Sequence, residues 1–585
     1  MSETPAAPVR PAEVARVLAQ IATLMELNGE DAFRARAYSS AARALEGTDA
    51  DLLALARADR LTELHGVGQG LAAVIREIVL TGRSELHEEL VAATPVGLFE
   101  VMRIPGLGTK RIRALHEGLG VDSLDSLEKA ARSGEVAALS GFGAKTQEKI
   151  LEGIAFARAS QGRRRYPEAL ETAARLLDWL RARPEVRAAE IAGALRRLME
   201  VVDGLVLVAV SEEPADTLDA FLTLNGASGG RRVGERAAEV RLSDGLPARL
   251  LCVPADEFVA AMVRETGSDA HLEELAGRAE ARGLRLDEHG LLEGASPLEL
   301  PDEEALYHAL GLAYVPPELR EGLGEVESAA AGPLPALVET ADLRGTFHCH
   351  TSYSDGKASV AEMADAARAL GWDYLGLADH SRAAAYAGGL TVARVKEQQR
   401  EIDRYNAQHG PGFRVFKGTE SDILPDGSLD YPDEVLASFD YVVGSVHSSF
   451  GQPRAEMTER VLRAVRNPRL TILGHPTGRL LLGREGYAID LRAVIDAAAQ
   501  AGVVIEINAN PHRLDLDWRE VRYAVERGVL IAINPDAHST AGLRDVAYGV
   551  NAARKAGLEP SRILNCWTLN EVERFLAERK HRREA

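Results

Sequence analysis

The feature that most constrains this chain is an alternation in its C-terminal part. From Asp342 to the last residue, short apolar runs of β type alternate with helical segments. This order is typical of parallel βα units, because a parallel strand must return through a crossover before the next strand can pair with it. Seven of these runs end in polar clusters able to bind metal ions. The pattern predicts a parallel α/β region with its chemistry at the strand ends.

The polar clusters together make a candidate metal centre. In barrels of parallel strands, reactive residues gather at the C-terminal strand ends, because the βα loops open there. His348 and His350 are one residue apart, so on a strand end they point to the same side, while Cys349 faces the core. The predicted ligands are His348, His350, Asp355, His380, Glu420, His447, His475, Asp536 and His538, with His348, His350, Glu420 and Asp536 as candidate catalytic residues.

Nine ligands are too many for one tetrahedral or octahedral ion, so they predict two or three ions with Glu420 as a bridge. Imidazole and carboxylate ligands without thiolate suit Zn, Mn or Fe. Clustered divalent ions of this kind serve phosphoester hydrolysis. Any single histidine is better explained as an ordinary buried or surface residue, but 15 scattered histidines would not repeatedly follow β runs. His512 and Asp379 are expected to orient ligand imidazoles rather than to bind metal.

The N-terminal part, from Pro11 to about Ser160, has a helical pattern with an internal repeat. The repeat occurs as LTELHGVGQGLAAVI (61–75), VMRIPGLGTKRIRAL (101–115) and VAALSGFGAKTQEKI (136–150), and it resembles the helix-hairpin-helix motif. The glycines permit a tight turn that exposes backbone N–H groups beside a helix N-terminus, where a phosphate can bind. A single copy is explained equally well as a packing turn, but three copies favour sequence-independent binding to the DNA backbone. The candidate DNA-binding glycines are Gly66, Gly68, Gly106, Gly108, Gly141 and Gly143.

Composition excludes several classes of protein. The net charge of −20 excludes a basic protein that coats nucleic acid by charge, so any DNA contact must be local. Met1 to Glu100 contains nine Arg and no Lys, which argues against a Schiff-base lyase in this segment. The three cysteines show no paired spacing, so neither a disulfide framework nor a zinc knuckle is expected. No signal peptide and no apolar run of about 18 residues is evident, so we expect a cytoplasmic, nucleoid-associated protein without membrane contact.

The C-terminal motifs resemble the PHP (polymerase and histidinol phosphatase) domain. The matching segments are HCHTSYSDG, ADHS, GTESDIL, VGSVHSSF, GHPTGRLL, EINANPHRLDL and NPDAHS. The resemblance implies a distorted seven-stranded βα barrel with a trinuclear metal site. By motif, it implies one ion held by His348, His350, Glu420 and Asp536, a second by Glu420, His447 and His475, and a third by Asp355, His380 and His538.

The order of the N-terminal motifs resembles a bacterial X-family DNA polymerase joined to a PHP domain. The segments that carry this resemblance are FRARAYSSAARAL, the hairpin repeats, AGALRR, the TGS at Thr266–Ser268, and ALYHALGLAYVPPELRE. It implies an α+β middle part with a polymerase-like palm and thumb. Together with a small-residue stretch read as a linker, it gives a helical DNA-binding domain at 1–90, a fingers-like hairpin domain at 91–165, a palm-like domain at 166–240, the rest of the palm with a thumb-like domain at 241–322, the linker at 323–341 and the PHP domain at 342–585.

This resemblance implies a metal-dependent 3′–5′ exonuclease and short-gap filling in base excision repair. The implied partners are DNA with gapped or recessed ends, bound independently of sequence, and dNTPs. Arg196 and Arg197 are the candidate side chains for contacts with DNA phosphates.

The polymerase centre departs from the family pattern. Gly204 and Val206 stand in register with the first two catalytic carboxylates, and Arg249 stands in register with the third. Two-metal nucleotidyl transfer, with Mg or Mn, requires closely placed carboxylates, so the centre is predicted to be impaired or lost. Asp203 is one residue early, and a shift of one residue along a strand turns a side chain to the other face. The alternative is a slip in register, with Glu200, Asp203 or Asp244 serving instead.

The leading hypothesis is therefore a DNA-repair enzyme whose PHP metals hydrolyse DNA 3′ ends. Three alternatives remain: an active gap-filling polymerase that uses substitute carboxylates, a noncatalytic DNA-binding repair scaffold, and a phosphomonoesterase of the histidinol-phosphatase kind. The hairpin repeats argue against the phosphomonoesterase.

Overall fold

The computed structural model describes residues 11–45, 50–64, 66–104 and 106–584, without the side chains of residues 12 and 581–584. The chain divides into two compact units, Met1–Gln161 and Gly162–Ala585. Buried side chains from Val14 to Ala157 form one hydrophobic core in the first unit, and the predicted domain boundary near residue 90 lies within this unit and stays a prediction.

The first unit is helical, as its apolar spacing predicts. In the first helix Leu18, Ile21 and Met25 follow one another at intervals of three and four, and all three are fully buried. The α-helices are α1 (Pro11–Leu27), α2 (Ala32–Leu45), α3 (Leu52–Arg57), α4 (Gln69–Thr81), α5 (Glu85–Ala93), α6 (Leu98–Val101), α7 (Thr109–Leu119), α8 (Leu124–Arg132), α9 (Glu135–Ala138) and α10 (Ala144–Ala159).

The second unit begins with a five-stranded mixed sheet in the order β2-β4-β7-β6-β5, in which only β4 and β7 run parallel. Its elements and those that follow are β1 (Arg164–Arg165), α11 (Tyr166–Arg181), β2 (Val186–Ala192), α12 (Gly193–Arg196), β3 (Val201–Val202), β4 (Leu205–Ser211), α13 (Pro214–Leu222), β5 (Ser228–Val233), β6 (Ala237–Arg241), β7 (Pro247–Val253), α14 (Phe258–Thr266), α15 (Asp269–Ala281), β8 (Leu284–Asp287), β9 (Gly290–Glu293), β10 (Ser296–Pro297), α16 (Glu303–Ala309) and α17 (Glu325–Ala331).

The stretch that sequence composition assigned to a linker contains a packed helix. Val326 and Ala329 of α17 are buried in the same core as α15 and α16. Glu325 accepts a hydrogen bond from the buried His271 imidazole at 2.6 Å. The linker prediction is therefore wrong for residues 325–331, because small residues such as alanine also suit a helix that packs closely against its neighbours.

The rest of the second unit alternates strands and helices, and every ladder in it is parallel. This confirms the parallel α/β prediction. The elements are β11 (Gly345–Thr346), α18 (Val360–Ala369), β12 (Tyr374–Leu377), α19 (Val392–His409), β13 (Arg414–Lys417), β14 (Glu420–Asp422), α20 (Asp433–Leu436), β15 (Val443–Ser445), α21 (Arg454–Arg466), β16 (Ile472–Leu473), α22 (Leu491–Ala501), β17 (Val504–Asn508), α23 (Trp518–Glu526), β18 (Ile531–Asn534), α24 (Val546–Lys555) and α25 (Leu569–Glu584).

The eight strands form two sheets that meet at both edges. One sheet has the order β11-β12-β13 and the other β14-β15-β16-β17-β18. Parallel bridges join His380 to Glu420 and Cys349 to Ala537, so the strand positions follow one another in a ring. Aromatic side chains including Phe347, Tyr374 and Tyr441 form a core separate from the larger core that includes α18, α19 and Cys349.

Eight short 3₁₀ helices complete the described secondary structure: Leu61–Glu63, Ala255–Glu257, Pro317–Leu319, Thr340–Asp342, Ala385–Ala387, Ala541–Asp545, Pro560–Arg562 and Leu564–Cys566. None of the helices in the described ranges combines the length and apolar composition needed to span a bilayer.

Candidate metal centre

The nine predicted ligands come together at the C-terminal ends of the ring of strands. His348 and His350 follow β11, Asp355 lies in the next loop, and Glu420 begins β14. Most of the cluster is buried, and only Asp355 and His538 are exposed by about a third, each with 36% of its side chain exposed. Within the described chain, three groups have donor atoms close enough to hold an ion: His350, Asp355, His380 and His538; His348, His350 and Asp536; and His380, Glu420 and His447.

Glu420 occupies the middle of the cluster. Its Oε1 lies 3.0 Å from His475 Nε2 and 3.2 Å from His447 Nε2. Its Oε2 lies 2.9 Å from His380 Nδ1, and Oε1 lies 3.4 Å from His348 Nε2. A carboxylate with imidazoles on both oxygens is placed to bridge two cations.

His350 and His380 each face two neighbouring groups. His350 Nε2 lies 3.1 Å from Asp536 Oδ1, whereas its Nδ1 lies 3.8 Å from Asp355 Oδ1. His380 presents Nδ1 to Glu420 and Nε2 to Asp355 at 3.6 Å. The division of ligands implied by the resemblance therefore differs from the geometry, in which His350 also joins the Asp355 group and His380 also joins the Glu420 group.

The electrostatics of the cluster keep its carboxylates ionised. Burial disfavours the charged form of Glu420, but His447 and His348 outweigh burial and hold its pKa well below the usual range. Burial likewise opposes protonation of His447, yet Glu420 and Asp422 raise its pKa to about 10. Burial together with His380 and His538 lowers the pKa of His350 to about 4, which leaves this imidazole neutral near pH 7.

Several buried nitrogen and oxygen atoms of the cluster form no hydrogen bond of good geometry, although two of them, His380 Nδ1 and Glu420 Oε2, lie 2.9 Å apart. These atoms are His348 Nε2, His350 Nδ1, His380 Nδ1, His475 Nδ1 and Glu420 Oε2. An unpaired buried polar atom costs about 1–3 kcal/mol, so a group of them in one cluster needs an explanation. Divalent cations explain it, because lone pairs of nitrogen and oxygen are the ligands that such ions take.

A second layer of polar residues, which the sequence patterns did not reveal, holds the imidazoles in place. Glu506, fully buried in β17, accepts a hydrogen bond from His348 Nδ1 at 2.8 Å. Asp422 accepts one from His447 Nδ1 at 2.7 Å. The sequence did carry a signal for Glu506, since a single carboxylate interrupts the apolar run VVIEIN.

The two residues expected to orient ligand imidazoles have other partners. The His512 imidazole contacts the Arg165 guanidinium rather than a predicted ligand. Asp379 accepts hydrogen bonds from the Thr351 backbone N–H and hydroxyl, both at 2.8 Å, and from the Ser354 hydroxyl. The expectation is wrong for His512, and Asp379 instead fixes the loop that leads to Asp355.

The backbone at two ligand positions has an unusual conformation. His475 has a φ of 23° and Asp536 a φ of 53°, both in the left-handed region that favours glycine. Such conformations cost about 1–3 kcal/mol and occur mainly where a functional site requires them.

The three positions predicted to have lost the polymerase carboxylates line one cavity of about 550 Å³ in the mixed sheet. Gly204, Val206 and Arg249 all lie on its wall, and Val206 pairs directly with Arg249 between β4 and β7. The Arg249 guanidinium forms an ion pair with Glu265. All of the groups with metal-ligand spacing in the described chain lie in the C-terminal centre, and none lies in this cavity.

Only one of the three substitute carboxylates lines that cavity. Asp203 does so, whereas Glu200 forms an ion pair with Arg519 at 3.1 Å. Asp244 forms an ion pair with Arg164 at 3.1 Å. Of the three proposed substitutes the cavity therefore contains only Asp203, and its other carboxylate, Glu239, forms an ion pair with Arg231 at 2.6 Å.

The two arginines predicted to contact DNA are engaged within the protein. Arg196 donates to Glu303 at 2.6 Å and to the Thr266 hydroxyl at 3.1 Å. Arg197 donates to Glu321 at 2.9 Å and to the Thr266 carbonyl at 2.7 Å. Nearby carboxylates and carbonyl or hydroxyl oxygens thus bind both guanidinium groups in the structure, and their contact with DNA stays a prediction.

The glycine pairs of the three hairpins share one geometry. Gly66, Gly106 and Gly141 have φ values of 78°, 79° and 84°. The second glycine of each pair, Gly68, Gly108 or Gly143, immediately precedes α4, α7 or α10, and no side chain caps the helix N-terminus. A Cβ at any of the six would meet no atom within 4 Å, so the turns are open to a ligand.

The second and third hairpins border a cavity of about 310 Å³ with basic walls. Gly106, Arg111, Lys145 and Lys149 line it. Open N–H groups beside cationic side chains are suited to binding phosphates.

Four family models match the chain: a helix-hairpin-helix domain at residues 10–84, a SAM-like helix-hairpin-helix tandem at 99–155, a DNA polymerase beta thumb at 261–321 and a PHP domain at 346–510. Among curated proteins, the DNA polymerase/3′-5′ exonuclease PolX of Bacillus subtilis (strain 168) is 38% identical over 572 residues, covering 96% of this chain and 99% of that protein.

Shorter relatives match a smaller share of the chain. A probable phosphatase of Thermoanaerobacter sp. (strain X514) is 29% identical over 181 residues, covering 29% of this chain and 71% of that protein. Another probable phosphatase, of Syntrophotalea carbinolica, is 28% identical over 166 residues, covering 27% of this chain and 67% of that protein. The nearly complete match to the Bacillus subtilis protein shows that this chain belongs to the family of bacterial X-family DNA polymerases with a C-terminal PHP domain.

Proposed function

We propose that this protein acts in DNA repair as a PolX-type enzyme whose PHP region hydrolyses phosphodiester bonds at DNA 3′ ends. The observation that carries the proposal is the meeting of nine imidazole and carboxylate side chains from remote segments in one cluster. The hairpin motifs and the name of the full-length relative support DNA as the substrate.

The nine residues fit two or three ions of Zn, Mn or Fe, with Glu420 between them. Divalent ions bound there would supply Lewis acidity toward phosphate oxygens and lower the pKa of a water molecule. Asp355 and His538, the most exposed members, mark the side from which a phosphodiester reaches the cluster. Arg513, with Nε 3.7 Å from Asp536 Oδ2, brings a positive charge that can pair with the substrate phosphate.

The DNA-binding role falls to the hairpins of residues 1–90 and 91–165. Gly66, Gly106 and Gly141 open the turns, and the N–H groups at the following helix starts bind backbone phosphates without reading the base sequence. Gapped or recessed ends are the proposed substrates. Because few cationic side chains take part, affinity falls only slowly with added salt.

The decisive experiment measures 3′–5′ degradation of a 5′-labelled duplex with a recessed 3′ end. The full-length protein with Mn²⁺ or Zn²⁺ shortens the labelled strand, and the His348→Ala/His350→Ala variant does not. His308→Ala removes an imidazole that is 61% exposed and far from the cluster in sequence, and this control keeps full activity. Persistent degradation by the double variant would show that another site cuts DNA.

The middle region, whose palm-like part spans 166–240, is proposed to have an impaired polymerase centre. Its cavity presents Gly204, Val206 and an ion-paired Arg249 where a two-metal site needs carboxylates. The test is primer extension on a gapped duplex by the His348→Ala/His350→Ala variant with dNTPs and Mg²⁺ or Mn²⁺. We expect no extension. Extension that disappears in Asp203→Ala would establish gap filling through a substitute carboxylate.

Two further functions are distinguished by the same assays. The probable phosphatases match only part of the chain. If this protein were a phosphomonoesterase, it would hydrolyse histidinol phosphate faster than a recessed DNA end. A noncatalytic scaffold would bind the gapped duplex and leave both substrates intact.

A further inference from the structure

One aromatic side chain at the metal centre has no role in the function proposed so far. In residues 342–584, Tyr386 is the one large hydrophobic side chain that is mostly exposed, at 73%. Its ring centroid lies 6.3 Å from that of His380, with an angle of 56° between the planes. Single exposed hydrophobic side chains are common on protein surfaces, and it is the position of this ring beside the metal centre that suggests contact with a ligand.

The segment that carries Tyr386 is held firmly at both ends. The neighbouring Ala384 and Ala387 are buried, whereas Ala385 and Tyr386 of the 3₁₀ turn Ala385–Ala387 are exposed. On one side, the Ala383 N–H donates to Asp430 at 2.6 Å. On the other, the Leu390 N–H donates to the His380 carbonyl at 2.9 Å.

A close backbone approach fixes the same loop. A Cβ at Gly389 would collide with the Ser381 carbonyl oxygen, so the loop crosses itself at a point where only glycine fits. The backbone that carries Tyr386 is therefore held in place, so binding a ligand to the ring restricts only the side-chain torsions of the tyrosine.

The chemistry around the ring favours a flat, uncharged partner. The hydroxyl of tyrosine is uncharged at neutral pH, so the exposed ring presents no charge to a ligand. A nucleobase is likewise neutral and has a π-face that can stack on the ring. A terminal nucleotide bound at the metal centre brings its base close to Tyr386, whose ring centroid lies 6.3 Å from that of His380.

We propose that Tyr386 stacks on the base of the 3′-terminal nucleotide and so makes the site prefer nucleic-acid ends over small phosphate esters. This inference rests on the proposed exonuclease function. Stacking tolerates every base, so it gives no sequence preference. Tyr386 is a substrate-binding residue that acts on affinity, because it contacts the base and none of the reacting atoms.

The test compares wild type, Tyr386→Ala and Tyr386→Phe on 5′-labelled single strands in Mn²⁺. Loss of one base–aromatic stack corresponds to roughly a 5- to 150-fold loss of binding. We expect Tyr386→Ala to raise KM by at least about tenfold with little change in kcat, and Tyr386→Phe to behave as wild type. On a strand that ends in an abasic tetrahydrofuran residue, the difference between wild type and Tyr386→Ala disappears.

A second readout separates this inference from the proposed function. In the His348→Ala/His350→Ala background, a 3′-terminal 2-aminopurine loses fluorescence on binding, and adding Tyr386→Ala abolishes that quenching. Three results would each overturn the stacking role. The first is equal KM values for wild type and Tyr386→Ala, and the second is a rise in KM for Tyr386→Ala that is as large on the abasic strand as on the normal strand. The third is fluorescence quenching that Tyr386→Ala leaves unchanged. A wild type that leaves DNA intact but still quenches 2-aminopurine would overturn the exonuclease and leave the stacking in place.

Discussion

Glu506 offers the sharpest test of the metal centre, because each of its two oxygens accepts two hydrogen bonds. Oε2 accepts from His348 Nδ1 at 2.8 Å and from Asn534 Nδ2 at 2.9 Å. Oε1 accepts from the His475 backbone N–H at 3.1 Å and from Asn508 Nδ2 at 3.0 Å. The carboxylate is fully buried, so water cannot replace a lost partner.

The substitution Glu506→Gln keeps the size of the side chain and changes only this pattern. The amide oxygen can still accept two bonds, but the NH₂ group must then face two other donors. One of the two imidazole-bearing segments, at His348 or at His475, loses its anchor. Outer hydrogen-bond partners of metal ligands are worth about 10- to 100-fold in metal affinity. This corresponds to about 1.4–2.7 kcal/mol of binding free energy.

The assay is a Mn²⁺ titration by calorimetry, with a chelator competition for tighter ions. We expect the dissociation constant of Glu506→Gln to rise about 10- to 100-fold while the far-UV circular dichroism stays unchanged. Glu459→Gln is the matched control, because Glu459 is 49% exposed and pairs only with arginines of its own helix. A folded Glu506→Gln protein that binds Mn²⁺ within twofold of wild type would refute the orienting role.

Three further predictions concern stability. Burial raises the pKa of Asp545 to about 6, above its unfolded value of about 3.9. A raised carboxyl pKa stabilises the folded state below about pH 4, and this stabilisation is lost as the pH rises through about 6. Relative to wild type, Asp545→Asn should therefore have a free energy of unfolding about 1–2 kcal/mol higher at pH 8 and equal at pH 4, as measured by urea unfolding. Gly106→Ala should lower the free energy of unfolding by about 1–2 kcal/mol, because Gly106 has a φ of 79°. Gly277→Ala should raise it by about 0.5–1 kcal/mol, because Gly277 lies inside α15 with open space around it. Thermal unfolding measures both variants, and equal shifts in the two would contradict the argument. Lys555→Met should lower the free energy of unfolding by about 2–4 kcal/mol, because it removes the partner of Glu321 and of the Arg197 carbonyl. A loss of less than about 1 kcal/mol in chemical unfolding would refute this prediction.

The parallel fold and the membership of the metal cluster could be predicted because both depend on local patterns. In a ring of parallel strands, a polar residue directly after an apolar strand run lies at the C-terminal end of the strands, and this position does not depend on distant parts of the chain. How the ligands are shared could not be predicted in this way. His350 reaches both Asp355 and Asp536, and that depends on side-chain directions that no spacing records.

The sequence does not show which partner a charged residue meets when that partner lies far away in the chain. Arg196 and Arg197 suit DNA phosphates by type, but Glu303 and Glu321 lie more than 100 residues further on and bind them first. His512 meets Arg165 from the other end of the same compact unit. A charged residue read alone shows what it can bind, and the fold decides which partner it meets.

Charged side chains of the middle region form contacts with the PHP region. Glu200, a possible substitute ligand, binds Arg519 of α23 at 3.1 Å. Lys555 of α24 is buried, donates to the Arg197 carbonyl at 3.0 Å and lies 4.6 Å from the Trp518 ring centroid. Arg519 is 49% exposed, so its ion pair with Glu200 is worth at most about 1 kcal/mol, whereas breaking the buried contacts of Lys555 costs about 3–5 kcal/mol. The attachment of the PHP region and a restored polymerase centre thus compete for Glu200.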